Sequence, residues 1–158
     1  MQRLSVFIDM SNILSAAKLK NFKIDFSKLK DYILRGRSAV RMIAYLVQLD
    51  KKANLDPFVY ALRNLDYEVR IKFAQKMHDG RIKADWDIAI VVDIMAATQK
   101  LDTICLVTGD GDFISLVNYL KGQGIKVEGY AVKGPGVSRD LRLSCDEFFD
   151  ITQAQSSL

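Results

Sequence analysis

Apolar residues fall in short dense runs separated by longer mixed stretches, and the two patterns alternate along the chain. Leu4 to Ile8 alternates too little for a half-exposed strand and predicts a central parallel one, followed by a helix from about Ser11 to Lys20. Ala39 to Val47, Val69 to Phe73, Thr103 to Val107 and Lys126 to Ala131 are further short runs rich in β-branched or aromatic residues, and they predict strands. Between them the spacing predicts helices at about Phe26 to Leu34, Ala53 to Leu65, Asp85 to Gln99 and Phe113 to Gly122. Strand and helix in alternation imply an α/β fold, a three-layer sandwich. Its mostly parallel, doubly wound central sheet carries helices on both faces through right-handed crossovers. Two polar breaks, Met77 to Ala84 and Gly134 to Ser138, each precede a helix and are placed to border a site. The domain is expected over residues 1–151, with Phe148 and Phe149 packed on it and Thr152 to Leu158 a frayed polar tail.

Bulk composition narrows this picture. A chain of 158 residues that is 49% hydrophobic fits one domain with a real core. No run approaches the roughly 18 apolar residues of a membrane span, and no signal peptide precedes the first strand, so a cytoplasmic protein with no membrane partner is expected. Cys105, in a predicted strand, and Cys145, in a polar segment, match no metal spacing and read as free thiols. The formal charge of +4 favours a polyanionic partner, although Lys18, Lys20, Lys23, Lys28 and Lys30 read equally well as a solvated face.

The acids are not scattered. The first strand stops on Asp9, followed by Met10, Ser11 and Asn12, and the strand ending at Val107 runs through Thr108 into Gly109-Asp110-Gly111-Asp112-Phe113. In an open parallel sheet, ligands bind beyond the carboxyl ends of the strands where strand order reverses. If these two strands are neighbours, Asp9 and Asp110 reach one cation and Asp112 adds a third charge. Carboxylates crowded together repel one another, a divalent ion relieves that repulsion, and an all-oxygen donor set selects Mg²⁺ or Mn²⁺ over zinc. The simpler reading makes Asp-Gly-Asp a turn and Asp112 a helix cap. Asp9 fits that reading less well, because a carboxylate behind Val6, Phe7 and Ile8 is buried and needs a partner. Asn12 would cap the first helix, or hold Asp9 and bound water, or do both.

A third segment, Lys83 to Met95, opens a helix with Asp85 and Asp87, either of which suits the positive end of the helix dipole. The residues behind them are apolar nearly all round, which predicts a buried helix whose start meets other protein groups, and so gives Asp87 an approach to the strand ends. Asp93, six residues on, stands about 240° around the helix from Asp87, and reads either as an ion-pair partner or as a ligand from another direction. His78 is the only histidine and lies in a polar loop, and no serine or cysteine sits in a nucleophile motif. Hydrolysis would therefore rest on water activated by cations. Arg81, Lys83, Lys133 and Arg139 are the positive groups placed to hold substrate.

Together these segments resemble the NYN domain family, in particular its bacterial LabA-like branch, within the PIN-like nucleases. Ile8-Asp9 with Asn12 resembles the family's first motif, Lys83 to Asp93 its lysine and aspartate helix, and Thr108 to Phe113 with Leu116 its Ser-Gly-Asp-Gly-Asp-Phe element. Ser138, Leu141 and Cys145 to Phe149 are similar to its closing pattern. The resemblance implies a PIN-like doubly wound fold and RNA cleavage at a Mg²⁺ or Mn²⁺ site formed by Asp9, Asp87, Asp110 and Asp112, with Asn12 among the catalytic residues. It adds Thr108 and Ser138 to the substrate contacts. Two departures stand out: Met10 replaces a common glycine, where it is expected to crowd the approach to Asp9, and Thr108 replaces a serine but keeps the hydroxyl.

The first reading is thus a metal-dependent ribonuclease acting on single-stranded or structured RNA. The alternative is a non-catalytic LabA-like regulatory module binding RNA or protein, and the oligomeric state, including a homodimer or a regulatory protein partner, is left open. A phosphatase or nucleotide hydrolase fares worst, because there is no Walker loop and no Asp-x-Asp pair at the first strand.

Overall fold

A computed structural model describes residues 2–48, 54–80, 82–83 and 85–156, with the backbone alone for residues 75, 76, 82, 83, 155 and 156. Six strands form one parallel sheet: β1 (Leu4–Asp9), β2 (Ala39–Gln48), β3 (Glu68–Phe73), β6 (Thr103–Val107), β7 (Lys126–Ala131) and β8 (Glu147–Asp150). Their spatial order is β3-β2-β1-β6-β7-β8. The chain builds outward from β1 to β3, returns to the centre, and builds outward again from β6 to β8. Strand order therefore reverses between β1 and β6, the place where such sheets bind ligands. A separate two-stranded antiparallel hairpin joins β4 (Gln75–Lys76) to β5 (Ile82–Lys83).

Helices α1 (Met10–Leu19), α2 (Phe26–Leu34) and α3 (Asp56–Asn64) cover one face. There Ile13, Ala17, Leu29, Ile33, Val59 and Leu62 meet Leu4, Val6 and Ile8 of β1. Helices α4 (Asp87–Ala97), α5 (Ile114–Gly122) and α6 (Arg139–Ser144) cover the other, where Ile90, Ile94, Val117, Leu120 and Leu141 meet Phe7, Ile104 and Leu106. β1 and β6 are buried on both sides throughout, which is why their sequences are continuous apolar runs rather than alternating ones.

The differences from expectation have local causes. α3 begins at Asp56 because Pro57 occupies the first turn, where it lacks a needed donor least. Ala53, its expected start, lies outside the described residues. Thr152–Ser156, expected to fray, forms the short helix α7, with Ala154 buried and the helix set against α2. α4 is not buried all round: Ile90 and Ile94 face the sheet, while Ile88 is 79% exposed and Val92 58%. Cys105 and Cys145 are free and buried as expected, and burial pushes their thiols up to about 12 and about 11.

Candidate metal centre

The strand reversal brings the carboxylates together. Asp9, the last residue of β1, caps α1: its Oδ1 accepts the Asn12 backbone N–H at 3.4 Å and its Oδ2 accepts the Thr108 hydroxyl at 3.1 Å. The same hydroxyl oxygen accepts the Asp110 backbone N–H at 3.2 Å, so one buried side chain supports both strand ends. Asn12 completes the tie by accepting the Gly109 N–H through its side-chain oxygen at 2.8 Å. It therefore joins α1 to the turn after β6. The cap of the first helix is Asp9 instead.

Beyond Thr108, Asp110 caps a single 3-10 turn (Gly111–Phe113) by accepting the Asp112 N–H at 2.9 Å. The capping role expected of Asp112 belongs to Asp110, which leaves the exposed Asp112 carboxylate free to project. Both glycines lie in close approach: a Cβ on Gly111 would stand 2.9 Å from Ser138 Oγ, forcing a shift, and one on Gly109 would stand a tight 3.2 Å from Val137 Cγ2. The same segments are tied by the Ser138 N–H, which donates to the Gly109 carbonyl at 2.9 Å.

Asp87 arrives from the opposite side, at the start of α4. Trp86 fixes that start, its indole N–H donating to the Leu46 carbonyl at 3.0 Å and its ring set 5.5 Å from Tyr45. One oxygen each from Asp87, Asp110 and Asp112 lies within 4.8 Å of the others. Asp9 stands outside that group but lines the same cleft. Burial, then the charges of Asp110, Asp9, Asp85 and Asp112, push the Asp87 carboxyl up to about 6. Asp9 is also raised, chiefly by burial, although the Thr108 and Asn12 hydrogen bonds hold it back. Hard oxygen donors that destabilise one another's ionised forms fit a divalent cation such as Mg²⁺ or Mn²⁺.

A cleft of about 780 Å³ opens over these groups, with α1 as one wall and the Val132 to Val137 segment as another. Asp85, which the sequence offered only as an alternative to Asp87, lines it too and accepts the Asp87 N–H at 3.3 Å. Ser11 and Ser15 also line it, and nothing in their sequence context marked them out. The expected substrate contacts divide. Lys133 borders the cleft, whereas Arg139 borders a different cavity. Thr108 is buried beneath the carboxylates with its hydroxyl doubly engaged, and Ser138 spends its hydroxyl oxygen capping α6 through the Leu141 N–H at 3.2 Å. The hydroxyl oxygens of both are thus engaged within the fold. Arg81 and the Lys83 side chain lie outside the described residues. His78 is exposed, and Met10, expected to crowd the approach to Asp9, is buried in the core and is not part of the cleft lining. Asp93 proves to be an ion-pair partner, accepting from Arg70 and from the Tyr45 hydroxyl, each at 2.6 Å.

An all-parallel, doubly wound sheet flanked by helices, with acidic residues gathered at its reversal point, defines a PIN-like α/β domain. Residues 3–152 match the NYN domain, and the chain belongs to the NYN domain family. It is 27% identical over 161 residues to "Low amplitude and bright protein LabA" of Synechococcus elongatus, covering 98% of this chain and 86% of that protein. The crystal structure of a Vibrio parahaemolyticus protein of unknown function is 26% identical, with a TM-score of 0.85 over 97% of this chain and 94% of that one. No described helix is long and apolar enough to cross a membrane.

Proposed function

We propose that the protein is a metal-dependent ribonuclease whose cation is held by Asp87, Asp110 and Asp112, with Asp9 completing the acidic lining of the cleft. The observation that carries this reading is the approach of three carboxylates to within 4.8 Å at the mouth of an open cleft. A bound Mg²⁺ or Mn²⁺ would supply activation of water and charge stabilisation for the leaving oxygen of a phosphodiester. The chain's own contribution is positional. Asp9 and Thr108 fix the strand ends, Asn12 and Gly109 hold the turn, and Lys133 offers a positive charge on the cleft wall toward the substrate's phosphates. Membership of the NYN family and the basic net charge both favour RNA as the polyanion.

Mn²⁺ is expected to raise the melting temperature by mass action, and Asp110→Asn to abolish both that rise and Mn²⁺-dependent cleavage of an RNA oligomer. A wild-type protein that binds RNA, is stabilised by neither Mg²⁺ nor Mn²⁺, and cleaves nothing would favour the non-catalytic regulatory alternative.

A further inference from the structure

Beside the Lys133 to Val137 segment lies a second cavity of about 450 Å³, whose lining includes none of the clustered carboxylates. Three cations border it, Lys133, Arg139 and Arg142, against the single carboxylate of Asp150. The two arginines stand three residues apart on α6, hence on one face, and both are exposed. Among the described residues neither has an ion-pair partner. Asp150 is engaged elsewhere, its Oδ1 accepting the backbone N–H groups of Lys133 at 3.2 Å and Thr152 at 3.0 Å. The apolar wall is Phe148. Its half-buried ring packs so closely on Gly129 that a Cβ there would fall 2.5 Å from Phe148 Cδ2. Lys133 and Val137 line both this cavity and the carboxylate cleft, so the two are adjacent compartments divided by one segment.

We propose that this cavity holds the nucleotides flanking the cleavage point, so that the RNA strand crosses the Lys133 to Val137 segment. Arg139, Arg142 and Lys133 take its phosphates and Phe148 receives a base. The inference rests on the ribonuclease reading of the cleft. Guanidinium groups suit phosphate oxygens because they donate in a planar fork, and an aromatic wall beside them suits an unpaired base. A duplex keeps its bases stacked inside and has none to offer Phe148, so the strand taken here is single.

The test is binding by fluorescence anisotropy, with EDTA present so that no turnover consumes the probe. The probes are a single-stranded RNA of about eight nucleotides, within the usual site size of single-strand binders, a dinucleotide, and a duplex of the longer sequence. Arg139→Gln/Arg142→Gln is expected to weaken the longer strand about tenfold, to reduce its salt slope by about 1.4, and to leave the dinucleotide unchanged. Phe148→Leu is expected to weaken the single strand without altering the salt slope. Equal losses for the long strand and the dinucleotide, no loss for either, or a duplex bound as tightly as the single strand would overturn the proposal. Arginine-dependent binding of the long strand by a protein that cleaves nothing with Mg²⁺ or Mn²⁺ would instead sink the ribonuclease reading and leave the compartment standing.

Discussion

Thr108 shows how much of the site depends on a residue that never touches the cleft. Its hydroxyl donates to Asp9 and accepts from the backbone of Asp110, so a single oxygen sets the spacing of two strand ends. Thr108→Val keeps the shape, removes both bonds and leaves Asp9 buried with one partner fewer. The expected cost is about 1–3 kcal/mol in urea denaturation, with a smaller Mn²⁺-induced rise in melting temperature, and Thr108→Ser should restore most of both. Asp9 and Asp110 were legible in the sequence because one apolar run stops on the first and the other is followed within three residues by the second. The role of Thr108 was not, because its partner lies 99 residues away and a strand-end threonine looks the same with or without it. Asp87 was legible as the charge at a helix start, but the raised state of its carboxyl depends on which acids face it, and only the fold decides that.

Among the elements, α4 separates what periodicity reveals from what it conceals. Its sequence is apolar on every side, and that pattern cannot say which stripe the sheet covers. Ile90 and Ile94 are covered, and Asp93 sits between Tyr45 and Arg70 beside them, while Ile88, Val92 and Met95 form an exposed stripe at helical spacing. Ile90→Ala should therefore cost about 2–5 kcal/mol, whereas Val92→Glu should stay within about 0.5 kcal/mol of wild type. Urea denaturation of the two variants checks the helix's orientation directly, and equal costs would show it wrong. β1, β2, β3, β6 and β7 and the helices between them were readable from dense apolar runs and helical spacing, whereas the short β4, β5 and α7 were not. β8 was not, since Glu147-Phe148-Phe149-Asp150 is too short to show an alternation and its pairing with β7 is non-local.

At the scale of the molecule, the alternation of strand and helix pointed to the parallel sheet, but no local pattern encodes the order β3-β2-β1-β6-β7-β8. That order is held on one face by Glu128 of β7, whose side chain is 0% exposed and bonds Arg37 through both oxygens at 2.8 Å, with Arg35 at 3.0 Å. Burial alone would raise this carboxyl. Hydrogen bonds from Arg37 and Tyr130 and the arginine charges bring it down to about 2. Because the folded value lies below the ordinary one of 4.5, the unfolded chain takes up the proton first. The stabilisation is thus complete above about pH 4.5 and is lost as the pH falls toward about 2. Thermal melts across that window should show wild type losing stability on acidification and Glu128→Gln with a flatter profile, less stable by about 3 kcal/mol at neutral pH. The seam between β1 and β6 has a consequence for the protein's synthesis. Asp9 is made early, but its partner Thr108 and the acids of the next turn follow about a hundred residues later. A nascent chain, or any partly folded form holding only the first half of the sheet, therefore has no assembled carboxylate site. Whatever chemistry the site performs is withheld until β6 has joined β1 and the turn after it has formed.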